Sequence, residues 1–169
     1  MSKLTGNLDA IAEQIRKSFS AKDAAREKVL PLCRDAIRCC SQAIRAVHRQ
    51  EFDRAAELLK SARNLLTEAE QAITAHSELS NTGFIRDAQK EFAEGSILLA
   101  LVTGKRLPDP VELGIDAAAY LNGLGEAVGE LRRYLLDGMR QGDLSRSEEL
   151  LLVMDDIYNV LVTMDFPDA

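Results

Sequence analysis

FIRDAQKEFAEGSILLALV, residues Phe84 to Val102, reads as one amphipathic helix. At about 100° per residue, Phe84, Ala88, Gly95, Leu98 and Val102 fall on one face, and Glu91 falls among them. A carboxylate on an apolar face is costly unless a cation or hydrogen-bond donors meet it. Glu94, three residues further on, flanks that face, so both acids can point to one place.

Ser80-Asn81-Thr82-Gly83 supplies turn and cap chemistry before this helix, and Gly104 stops it. Upstream, Leu8, Ile11, Ile15 and Phe19 recur at three- and four-residue steps and predict a first helix from Asn7 to Phe19. A second is expected from Ala21 to Arg49, bent or divided by Pro31. Ala55, Leu58, Leu59, Ala62, Leu65, Leu66 and Ala69 predict a third, from Phe52 to Ala75. Downstream, Pro108-Asp109-Pro110 breaks the chain. A fifth helix is expected from Asp116 to Met139 despite Gly123, Gly125 and Gly129, glycines that need a reason there. Gln141-Gly142-Asp143 is a further stop, before a sixth helix from Ser145 to Met164 that ends at Phe166-Pro167.

Six helices with short loops and no strand pattern give an all-α, mostly antiparallel bundle, one domain over residues 1–169. Composition agrees. Aromatics are 5% of the 169 residues and Trp is absent, which disfavours a sandwich or barrel. The net charge of −6 excludes a generally basic nucleic-acid coat, so any such contact must be local. Cys33, Cys39 and Cys40 are an odd number in one stretch, with no partner cluster for a disulfide framework or zinc site, and they read as small apolar groups in a reducing compartment. No apolar run reaches the roughly 20 residues of a membrane helix. A cytoplasmic protein without membrane contact is expected.

Helix five carries Glu126 and Glu130 at a four-residue step, with Ala119 and Gly123 on the same face to let a neighbour approach. If helices four and five are adjacent, the four carboxylates form an oxygen-rich pocket suited to Mg2+ or Mn2+. Glu is also a strong helix former, and most such pairs are a solvated face. His48 and His76 lack the Glu three residues before them that a di-iron carboxylate bundle requires. They also lack the partners of a nucleophilic triad.

The second constellation is basic. Arg34, Arg38, Arg45 and Arg49 fall within an arc of about 60° on one helix, a stripe that could follow a phosphate backbone or pair with acids of a neighbouring helix. Residues 26–49 carry six Lys and Arg against two acids, and residues 143–169 carry seven acids against one Arg, so charge is segregated along the chain. The stripe has no interleaved aromatics for stacking bases, which favours backbone contact.

The series Arg34-Asp35-Ala36-Ile37-Arg38, Ala43-Ile44-Arg45-Ala46-Val47-His48-Arg49, Glu91-Phe92-Ala93-Glu94, Tyr120-Leu121 with Gly123 to Arg132, and Gly142-Asp143 before Met154-Asp155-Asp156-Ile157-Tyr158 resembles the translin and translin-associated factor X (TRAX) family. The resemblance implies an all-α fold and a place near the TRAX branch, a metal-dependent endoribonuclease, whereas translin binds nucleic acid without the catalytic acids. On that pattern Glu91 and Glu94 match the Glu-x-x-Glu pair. Glu126 and Glu130 match the second acidic pair, whose first member is commonly Asp. The family's basic helix corresponds to Arg34, Arg38, Arg45 and Arg49. The resemblance further implies an archaeal or prokaryotic homo-oligomer, a hollow shell with catalytic residues facing inward. Relatives continue past Asp168-Ala169, so a C-terminal truncation is expected, with a seventh helix in the complete protein. The implied activity is Mg2+- or Mn2+-dependent cleavage of single-stranded RNA, with DNA as a possible second ligand. A non-catalytic RNA- or DNA-binding oligomer subunit of translin type is the alternative.

Overall fold

The computed structural model describes residues 3–76, 79 and 82–166. Ser80 and Asn81 of the expected cap, and Pro167 of the expected stop, lie outside the described residues. Among the described residues there is no strand, and six α-helices follow a short 3-10 turn: α1 Leu8–His48, α2 Phe52–Ala72, α3 Gly83–Val102, α4 Pro110–Leu113, α5 Ala117–Arg140 and α6 Ser147–Leu161.

Two of the expected helices are one. α1 runs unbroken through the Phe19–Ala21 junction and through Pro31. Pro31 cannot donate to the carbonyl of Glu27, but both residues are exposed, on the side of the helix where solvent can take the place of the missing donor, and the helix continues. Nothing between Phe19 and Ala21 stops a helix, because no glycine or proline stands there. The sixth helix is instead α4, inside the stretch read as a simple break. Pro110 occupies its first turn, and Asp109 and Glu112 form a reciprocal capping box.

α1 and α2 form a hairpin closed by the tight Arg49–Glu51 turn, where Gln50 takes a left-handed conformation. α3 lies at the centre, packed on α1, α2 and α5, and α6 closes on α5. That central position explains why α3 is buried beyond one stripe, with Ile85, Ala88, Phe92, Ala93, Ile97, Leu98 and Val102 all in the core. The core starts along α1 only at Val29. The preceding half projects, and its stripe of Leu8, Ile11, Ile15 and Phe19 is exposed.

Arg146 ties α6 to the far end of α3. Its guanidinium donates to the carbonyls of Leu101 and Val102 at the helix C-terminus, the first of which also accepts from the Gly104 N–H, and it pairs with Glu149. No helix among the described residues is long and apolar enough to cross a membrane.

Candidate metal centre

The contact between α3 and α5 is set by a missing side chain. A Cβ on Gly123 would lie 2.6 Å from the Cβ of Ala93, 2.7 Å from the carbonyl oxygen of Lys90 and 3.1 Å from the backbone nitrogen of Glu94. Only glycine allows this approach, which is the reason for one of the three α5 glycines. Gly123 meets Ala93, and three residues later Glu126 meets Lys90, so the two helices run antiparallel. The same register lays the acids of α5 against those of α3.

Carboxylate oxygens of Glu91, Glu94 and Glu126 come within 4.8 Å of one another. Their burial is graded. Glu94 is buried at 8% exposure, the Glu91 side chain is 25% exposed, and Glu126 lies at the open rim. The sequence reading put Glu91 on the apolar face with Glu94 at its flank. The structure buries Glu94 more deeply, because the flank of α3 is where α1 and α5 close in. Burial pushes the Glu94 carboxyl up to about 7, and the negative charges of Glu91, Glu126 and Glu130 add to the effect.

Glu130, expected as the fourth member, does not join this trio. Its Oε2 lies 2.5 Å from Nε2 of His48, and Arg133 stands at 3.6 Å. His48 sits at the C-terminal end of α1 with its side chain only 7% exposed, and its Nδ1 is buried without a hydrogen-bond partner among the described residues. Sequence reasoning set His48 aside because it fits no triad or di-iron spacing. The available signal was its place four residues after Ile44 and eight after Cys40, both buried, which puts an imidazole on the inward side of α1.

Lys90 is the second residue that sequence reasoning passed over. Its ammonium donates to Glu126 at 2.8 Å and lies 3.5 Å from Glu91. The hydrogen bond to Glu126 raises the Lys90 pKa against the opposing cost of burial.

The donor set fits a hard divalent cation. Three carboxylates converge, one of them buried deeply enough to resist ionisation alone, and among the described residues no Cys or His joins them. Cys40 lies near enough to feel the charges of Glu91 and Glu94, but burial and those charges push its thiol up, so it stays a neutral core group.

The raised Glu94 pKa fixes a pH dependence. The folded protein holds this proton more tightly than the unfolded chain, so the Glu94 contribution to stability is fully present below about pH 4.5 and is lost as the pH rises through about 7. Replacing Glu94→Gln removes that loss. The metal-free variant is expected to be more stable than the parent at pH 8, by up to about 3 kcal/mol, and so to unfold at higher temperature there, and to match it more closely at pH 5. Thermal denaturation in EDTA at the two pH values checks this.

The basic stripe lies on the outward side of α1, with Arg34, Arg38, Arg45 and Arg49 all exposed. Arg38 pairs with Asp35 of its own helix at 3.3 Å. Among the described residues the other three form no ion pair, so the stripe is not neutralised by a neighbouring helix. Arg45 is three residues from His48, about 60° around the helix, which places the stripe beside the edge of the acidic centre.

No family model matches the chain. An uncharacterized protein of Methanocaldococcus jannaschii is 29% identical over 147 residues, and the match covers 86% of this chain and 65% of that protein. The chain thus spans just under two thirds of the length of this curated relative. The crystal structure of AfC3PO superposes with a TM-score of 0.81 at 32% identity, covering 93% of this chain and 82% of that one. The AfC3PO–duplex RNA complex gives a TM-score of 0.82 at 32% identity, covering 93% and 81%. Apo-NeC3PO, at 18% identity, shares the fold with a TM-score of 0.79 over 95% of this chain and 83% of its own.

Proposed function

The chain belongs to the translin/TRAX family of C3PO proteins, and from that premise we propose that it is a Mg2+- or Mn2+-dependent endoribonuclease subunit acting on single-stranded RNA. The observation that carries the reading is the convergence of Glu91, Glu94 and Glu126 from two separate helices within 4.8 Å. A merely solvated acidic face has no reason to bury Glu94 among three other negative charges.

In this reading Glu91, Glu94 and Glu126 hold the cation, with Glu130 beside them as the fourth acid. The bound ion supplies Lewis-acid polarisation of a phosphodiester oxygen and lowers the pKa of water. Glu130 has one oxygen engaged by His48, and the other is free to take a proton from the attacking water. His48 also fixes the rotamer of that carboxylate, because the imidazole is buried and cannot follow it outward. The arginines 34, 38, 45 and 49 hold successive phosphates along α1 and deliver the chain to the acids past Arg45. The active form is a homo-oligomer, and a cytoplasmic location accords with this chemistry.

The non-catalytic alternative draws support from one feature. Lys90 and His48 already partner Glu126 and Glu130, as structural contacts would. A labelled RNA separates the readings. Single-stranded substrate is expected to be cut internally in Mn2+ and left intact in EDTA, with binding preserved in both. Duplex RNA, the ligand in the AfC3PO complex, serves as the parallel arm. Binding without cutting in Mn2+ on either substrate would establish the translin-type subunit instead.

A further inference from the structure

We propose that Lys90 is a tethered counter-ion of the acidic centre, which a divalent cation must displace from Glu126 and Glu91 in order to bind. The inference rests on the metal-site reading above and assigns a role to a residue outside the four acids.

The geometry carries it. The Lys90 ammonium donates to Oε1 of Glu126 at 2.8 Å and stands 3.5 Å from Oε1 of Glu91, so it bridges acids from both helices. These two carboxylates also belong to the trio whose oxygens converge within 4.8 Å. The ammonium and a divalent ion therefore compete for the same two carboxylates. Lys90 reaches this position through its flexible stem, since a residue adjacent to Glu91 in a helix does not share its face. The side chain is 25% exposed, so the head group can leave the cluster for water without moving the backbone. The backbone there is pinned, with Gly123 packed on the Lys90 carbonyl. A cation on a mobile stem above a fixed acid cage lowers the repulsion among the acids without metal, and weakens metal affinity by the strength of its own contacts.

The test is Mn2+ binding to the full chain by isothermal titration, with Mn2+ alone as the probe. Lys90→Met is expected to bind Mn2+ about 10-fold more tightly than the parent, on the scale by which groups surrounding a site tune metal affinity. In EDTA the same variant is expected to melt at lower temperature, because the acids lose the cation that bridges them. Its stabilisation by Mn2+ is correspondingly larger. Lys90→Arg keeps a charge that cannot be lost and is expected to return affinity toward the parental value. If Lys90→Met and the parent bind Mn2+ equally, or the variant binds more weakly, the counter-ion role is overturned while the metal site stands. If neither protein binds Mn2+, the metal site itself is overturned and this role falls with it.

Discussion

Glu91→Ala is expected to abolish internal cleavage of single-stranded RNA in Mn2+, a loss of roughly 100-fold or more, while RNA binding in EDTA stays close to the parental level. The two activities separate because they are carried by different surfaces. The arginine stripe lies on the exposed side of α1, and Glu91 lies on α3 facing α5. Removing one of three converging carboxylates leaves too few oxygens for a hard cation that keeps several waters. It does not create an unpaired buried charge. It lessens the repulsion on Glu94, since Glu91 is the largest cause after burial of the raised Glu94 pKa. Stability should therefore hold or rise as activity disappears. Gel cleavage of labelled RNA, filter binding and a thermal melt on the same preparation make the comparison. Full cleavage by a folded Glu91→Ala protein would remove the acids from the mechanism.

Gly123→Ala is the second large effect, and it acts on fold and site together. The added methyl would meet Ala93 at 2.6 Å and the Lys90 carbonyl at 2.7 Å, neither of which can swing aside. α5 must move off α3. Overpacking of this kind costs about 1–3 kcal/mol. The shift also draws Glu126 away from Glu91 and Glu94, so Mn2+ affinity should fall with stability. Gly129, further along the same helix, has nothing within 4 Å of the place a methyl would occupy and supplies the control. Gly129→Ala should stabilise the protein by about 0.5–1 kcal/mol through helix propensity alone, and leave Mn2+ binding unchanged. Paired melts and Mn2+ titrations of the two variants distinguish a close-contact glycine from a tolerated one.

The residues that sequence reading placed well are those governed by local periodicity. Helices over Phe52–Ala72, Gly83–Val102 and Ala117–Arg140 follow from apolar spacing and stop residues. The spacing of each acid pair is a matter of one helix, a three- or four-residue step, and of the four acids Glu91, Glu94 and Glu126 come together. What escaped depends on contacts distant in sequence. The His48–Glu130 contact joins residues 82 apart, and Lys90 meets Glu126 across 36. No helical wheel relates them, so the separation of Glu130 from the other acids could not be read from its spacing. The relative depth of Glu91 and Glu94 was misjudged for the same reason, since a wheel ranks faces within a helix but not which neighbours cover them. Pro31 misled in the opposite way. Its local preference is real, but a missing donor on the wet side of a helix is cheaply replaced by solvent.

The leading half of α1 stands clear of the core, and a lone helix of that length in water is near the limit of persistence. Its order is borrowed. The turns after Val29 are held by packing and act as the nucleus from which the preceding turns are propagated, and Pro31 removes one rung of the ladder near that seam. Local opening should therefore be easiest near Leu8 and diminish toward the packed turns after Val29, well before the stretch of α1 that lies against the helices bearing the acids.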